Sequence, residues 1–145
     1  MEKVILASNN MGKIKEFREI LKDMDIELVS MKEAGIDVDI EEYGRTFSEN
    51  ALIKARTISE MTGCVTLADD SGLEVDWLNK EPGVHSARFM GHDTPYEIKN
   101  QAIIDKLKGV IGSDRMCKIC GSSCNCISGK VMKFAFRGTN GGNYR

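Results

Sequence analysis

The chain of 145 residues predicts a single α/β or α+β domain, and three observations carry that expectation. With 41% hydrophobic and 29% charged residues, it holds enough apolar material for one core in a soluble domain of ordinary size. Short apolar runs alternate with stretches whose apolar residues recur at helical spacing. No internal repeat is visible, and no linker separates two domains.

The elements follow in order. Val4 to Ala7 is a short apolar run closed by Ser8, Asn9 and Asn10, and Ile14, Phe17 and Leu21 then recur amid charged neighbours, so strand, loop and helix are expected. Ile26 to Met31 alternates as a second strand, and Ala34 to Gly44 is a polar, acidic connection. Thr46 and Glu49 have the spacing of a capping box, with Phe47, Ala51, Ala55 and Ile58 behind them on one face, which predicts a helix from 47 to about 61. Gly63 ends it. Cys64 to Ala68 reads as a buried strand, Asp69 to Gly72 as an acidic turn, and Leu73, Val75 and Trp77 as the strand's continuation. A turn at Glu81-Pro82-Gly83 follows. Thr94-Pro95-Tyr96-Glu97 then opens a helix striped by Ile103, Leu107 and Val110, with proline at its first position.

Composition narrows the function. A net charge of -2 without Lys/Arg runs argues against a nucleic-acid surface and leaves room for a small basic pocket. No stretch approaches the ~20 apolar residues of a membrane span, and Met1 to Ser8 is too short for a secretory signal, so a cytoplasmic chain with a small-molecule partner is expected. The five cysteines at 64, 117, 120, 124 and 126 are an odd number crowded toward one end, which is not a secreted disulfide framework.

Two segments carry chemistry. Ser8-Asn9-Asn10-Met11-Gly12-Lys13 lies between a strand and a helix, where backbone N–H groups, the positive helix end and a lysine converge as a phosphate cradle; a plain helix N-cap is the competing reading. It lacks the Walker A spacing. Leu67-Ala-Asp-Asp-Ser-Gly72 sets two carboxylates and a hydroxyl together, and with Glu41 or Glu42 these acids could give magnesium its hard oxygen ligands and orient a water. Lys54 reads first as a solvated lysine, Glu49 as the capping acid, Asn50 as an ordinary first-turn residue, and His85 and His92 as structural or exposed.

Ile5 to Lys13, Thr46 to Ala55, Ala68 to Val75 and Pro82 to Arg88 together closely resemble the noncanonical purine nucleoside triphosphate pyrophosphatases, the inosine/xanthosine triphosphatase family, collinearly over residues 1–115. The resemblance implies a mixed, twisted sheet flanked by helices and forming a nucleotide cleft, usually in a homodimer. It implies magnesium-dependent hydrolysis of ITP, dITP or XTP to monophosphate and pyrophosphate. By motif, Ser8, Asn9, Asn10, Met11, Gly12 and Lys13 would bind substrate and Lys54 would help hold phosphates. Asp70 would be general base and metal ligand, Glu42 (or Glu41) would support the metal, and Ser71 would contact substrate. Asp69, Gly72 and Arg88 match the motif without a defined role. Trp77 is a candidate for the dimer surface, or simply core.

Residues 116–145 depart from that pattern: the family's later strands and its base-reading motifs are absent, which would leave the C-terminal part incomplete. The set Cys117, Cys120, Cys124 and Cys126 suggests a zinc knuckle only weakly, because its spacers are short. Back-translated with permitted codons and read one base later, residues 116–127 become Cys-Ala-Lys-Phe-Val-Ala-Ala-Val-Ala-Ile-Ala-Phe, an apolar strand of the family's kind. That points to a frameshift near Arg115, or to a disordered tail, although Val131-Met132-Lys133 carries a stop in the shifted frame. Two alternatives stand beside the hydrolase: a non-catalytic, zinc-stabilised nucleotide-binding module, and the septum-formation type of nucleotide pyrophosphatase, whose first loop carries Ser-Pro-Arg-Arg where this chain has Asn-Met-Gly-Lys.

Overall fold

The computed structural model describes residues 1–91, 93–127, 130–134 and 141–143, with side chains up to Ser122. His92 and the side chains of Cys124 and Cys126 lie outside the described residues. The strands are β1 (Glu2–Leu6), β2 (Ile26–Ser30), β3 (Val65–Val75), β4 (Met116–Ile127), β5 (Lys130–Phe134) and β6 (Gly141–Asn143). The helices are α1 (Met11–Leu21), α2 (Phe47–Thr62) and α3 (Tyr96–Lys106). The strands run in the order β2-β1-β3-β4-β5, with β6 on β4. Parallel pairs β1·β2 and β1·β3 and antiparallel pairs β4·β5 and β4·β6 make the sheet mixed, as the α/β expectation requires.

The chain forms two compact units, residues 1–70 with 122–135 and residues 71–121 with 136–145. In the first, the order β2-β1-β3 has β1 in the middle, so the chain crosses outward to β2 through α1 and back past β1 to β3 through α2. Right-handed crossovers in opposite directions place the two helices on opposite faces of the strands. Being central, β1 buries Val4, Ile5 and Leu6 consecutively instead of alternating. Ile5, Ala7, Met31 and Ala68 meet Ala51, Ala55 and Ile58 of α2, and small residues at 51 and 55 let that helix lie close to the strands.

Helix α2 starts as its sequence dictates: Thr46 Oγ1 accepts the Glu49 N–H at 3.1 Å. The return half of the box lands one residue early, since Glu49 Oε2 accepts the Arg45 N–H at 2.6 Å. Gly63, at φ 68°, closes the helix in a left-handed conformation that suits glycine. On the β2 side, the Ser30 N–H and the Arg18 guanidinium both bond Glu33, and they hold its carboxyl down at about 2.

The second unit and the stretch of β3 that leads into it differ from the sequence expectation in three places. Asp69 to Gly72 is not a turn; β3 runs straight through it for 11 residues. Trp77 does not extend the strand but sits in a 3-10 turn, Asp76–Leu78, and is 55% exposed. Thr94 does not cap α3: its hydroxyl donates to the Met90 carbonyl, and Pro95 occupies the cap position. The core here is Val75, Ile103, Leu107, Val110 and Cys117. Arg115 Nη1 donates to the carbonyls of Leu107 and Val110, which closes the C-terminal end of α3.

Truncating Ile58, fully buried under the strands, should cost about 2–5 kcal/mol. Truncating exposed Met61, one turn on, should stay within about 0.5 kcal/mol. Urea unfolding of Ile58→Ala and Met61→Ala checks the contrast, and equal losses would contradict the assignment of the buried face.

Candidate active site

The first unit reverses its strand order between β1 and β3, and in open α/β sheets the crevice at the carboxyl ends of such strands is where ligands bind. The last paired residues are Leu6 and Leu67, and the Ala7 N–H still reaches the Leu67 carbonyl at 2.8 Å. Asp69 and Asp70 therefore stand just past the end of β1, alongside the loop that leaves it.

That loop caps itself. Ser8 Oγ accepts the Asn10 N–H at 3.1 Å, and Asn10 Oδ1 accepts the Lys13 N–H at 3.2 Å, so both the cap and the cradle readings describe part of it. The amides of Met11 and Gly12, in the first turn of α1, have no intrahelical acceptor, as at any helix start. Met11 is 71% exposed. Lys13 Nζ lies 2.8 Å from Asp69 Oδ2, which joins the basic loop to the acidic strand.

Strand alternation turns Asp69 and Asp70 to opposite faces. Asp70 shares its buried face with Thr66 and Ala68, toward α2, and there it meets Lys54. Lys54 Nζ lies 3.7 Å from Asp70 Oδ1 and 3.0 Å from Glu42 Oε1, and it donates to the Asp69 carbonyl at 2.5 Å. The ammonium thus sits among three oxygens, and it is not the solvated lysine that its position alone suggests. Burial pushes the Asp70 carboxyl above its ordinary value, against the pull of Lys54 and together with the like charge of Glu42.

Of the two glutamates, Glu42 faces Lys54 and Glu41 is exposed. The sequence held the signal that separates them. Ile36, Val38 and Ile40 turn inward against the core while Asp37, Asp39 and Glu41 turn out, and Glu42 continues the inward series. The residue that the sequence reading missed is Asn50. It is fully buried, and its Oδ1 accepts the Gly44 N–H at 2.7 Å, which ties the Glu42 segment to α2. Ser71 and Gly72 follow Asp70 in β3, both half-buried. Arg88 lies in the second unit, 3.4 Å through Nη2 from His85 Nδ1.

Oxygen chemistry and orphaned atoms suit this corner to a hard cation. Asp69 Oδ1 and Asp70 Oδ2 are buried without a hydrogen-bond partner, which is costly for carboxylates unless a cation or donor completes them. Among the described residues no group of three or more His, Cys, Asp and Glu side chains is placed to hold a metal ion. Two carboxylates with water and substrate oxygens are what magnesium ordinarily takes. Two hollows lie away from this corner, about 280 Å³ beside Trp77 and Phe89 and about 320 Å³ beside Arg18 and Glu33. The second also gathers two acids, Glu27 and Glu33, with Lys3 and Arg18, but Glu33 there is already bonded to Arg18 and to the Ser30 N–H. No helix among the described residues is long and apolar enough to cross a membrane.

Known proteins resemble this chain in sequence and fold. The Ham1 family model matches residues 4–144. A protein of Bacillus licheniformis named dITP/XTP pyrophosphatase is 39% identical over 99% of this chain and 79% of its own length. One of the same name from Clostridium perfringens is 46% identical over 79% of this chain, which spans only 59% of that relative. The solved structure of the Staphylococcus aureus Ham1 protein superposes with a TM-score of 0.83 at 34% identity, covering 98% of this chain and 71% of the other. Motifs, strand order and these likenesses agree, and the chain belongs to the Ham1 family.

Proposed function

We propose that this chain hydrolyses noncanonical purine nucleoside triphosphates (dITP, ITP and XTP) to the monophosphate and pyrophosphate, removing them from the cytoplasmic nucleotide pool. The observation that carries the reading is the charge cage in which Lys54 lies between Glu42 and Asp70, while Lys13 lies on Asp69. The names of the relatives supply the substrate class.

Without ligand the lysines neutralise the acids. A triphosphate arriving at the α1 end offers them stronger anionic partners, and the first-turn amides of Met11 and Gly12 add donors with the helix dipole behind them. Glu42 and Asp70 would then hold a magnesium ion, which supplies Lewis-acid polarisation of the phosphate. The free carboxylate oxygen of Asp70 accepts the proton of a water directed at the α-phosphorus. The burial that raises its proton affinity makes it a better base than an exposed aspartate. The bond from the α-phosphorus to the bridging oxygen breaks, and Lys13 and Lys54 offset the charge on the departing pyrophosphate. Ser71, next in the strand, is assigned to substrate contact. The same reading makes the active form a homodimer, with exposed Trp77 as a candidate for its surface. It needs neither nucleic acid nor membrane, and it keeps residues 1–115 as the catalytic part. The frame of residues 116–145 is settled by sequencing the locus.

Pyrophosphate release from dITP with magnesium should exceed that from ATP, and it should fall at least about 10²-fold in Asp70→Asn. Equal rates in the variant would remove Asp70 from its role. A second outcome concerns stability. Because the folded Asp70 holds its proton above the ordinary 3.8, the native state binds more protons than the unfolded state between the two values. Its contribution is therefore full below 3.8 and is lost as pH rises through the folded value. Asp70→Asn escapes that loss, so its melting temperature relative to the parent should climb from pH 4 to pH 7. A constant difference would contradict the burial argument.

A further inference from the structure

We infer that Asn50 is a positioning residue that sets the separation of the two metal-holding acids, one through each end of its amide. The inference rests on the reading of Glu42 and Asp70 as joint holders of a divalent ion, and it goes beyond it by naming what fixes their spacing.

The oxygen end is fastened to the segment that carries Glu42. Asn50 Oδ1 accepts the Gly44 N–H at 2.7 Å, two residues beyond Glu42. The approach is close enough that only glycine allows it. A Cβ on Gly44 would stand 2.5 Å from Asn50 Oδ1, 2.7 Å from Glu49 Cβ and 2.9 Å from the Asn50 backbone nitrogen. The segment thus lies directly on the amide.

The nitrogen end is turned to the other acid. Asn50 Nδ2 is buried without a hydrogen-bond partner, as is Asp70 Oδ2, and the amide lies close enough to the Asp70 carboxyl to act on it. An asparagine that is fully buried with a donor unmade lowers stability relative to an apolar residue of its shape. That cost is accounted for by an amide that orients Asp70 at one end and fastens the segment carrying Glu42 at the other. Ligand carboxylates are commonly steadied in this way by an outer hydrogen-bonding shell.

The test is Mn²⁺ binding to the whole chain, followed by the electron paramagnetic resonance of the free ion at 10 °C, with circular dichroism showing each variant folded. The comparison uses Asn50→Ala, Gly44→Ala, the double variant and Ile58→Ala. Asn50→Ala and Gly44→Ala should each weaken Mn²⁺ binding about tenfold. The double variant should also lose about tenfold and not the product of the two, because both changes break one contact. Ile58→Ala, on the same helix and also buried, should lower the melting temperature and leave Mn²⁺ affinity unchanged. Parental affinity in folded Asn50→Ala, or independent multiplication in the double variant, would overturn the role of Asn50 alone. A parent chain that does not bind Mn²⁺ would overturn the cage itself. Should Asn50→Ala fail to fold, Gly44→Ala decides the matter from the loop side.

Discussion

The parallel register of β1 against β3 is the constraint on which the candidate site depends. Leu6 pairs with Leu67, so β1 ends where β3 still has eight residues to run, and the carboxylates of Asp69 and Asp70 emerge beside the loop that opens α1. A one-residue slip would exchange the faces of the two aspartates, turning Asp70 from α2 and Asp69 toward it. The hydrophobic contacts of Ala68 with Ala51 and Ala55 forbid that slip, and the core therefore sets the direction of the acids. Packing and chemistry are joined in one strand.

Charge then does what packing alone cannot. Three acids and two lysines converge within a partly buried corner, a concentration of like charge that would be unfavourable without the alternation of sign. Each lysine is held by an acid that a divalent ion could also use, which makes the resting arrangement a balanced set that a cation and a polyanion can enter together. The orphaned oxygens of Asp69 and Asp70 show where the balance is incomplete. A site built mainly for stability would bury apolar groups in their place.

Much of this was legible in the chain. The Thr46/Glu49 spacing gave α2 its start and Gly63 its end, because capping is a local matter settled within one turn. The acidic motif gave the site but not its backbone. Asp, Ser and Gly favour turns, yet β3 carries them in extended form, since tertiary pairing overrides a propensity worth only about 1 kcal/mol. Trp77 suited the alternation of a strand and was instead placed in a 3-10 turn, half exposed. Glu42 could have been chosen over Glu41 from the period-two run Ile36, Val38, Ile40, which marks an extended segment with one face inward. Asn50 could not, because the role of a buried amide depends on what the fold brings to its two ends.

The central claim is that the acids and lysines of this corner exchange partners, so that a divalent cation and a nucleoside triphosphate bind as a coupled pair. Calorimetric titration of the α,β-imido analogue of dITP, with and without magnesium, tests it most directly. The account predicts that each ligand tightens the other by about tenfold or more, reciprocally. Nucleotide binding of equal strength in the presence and absence of magnesium would contradict it.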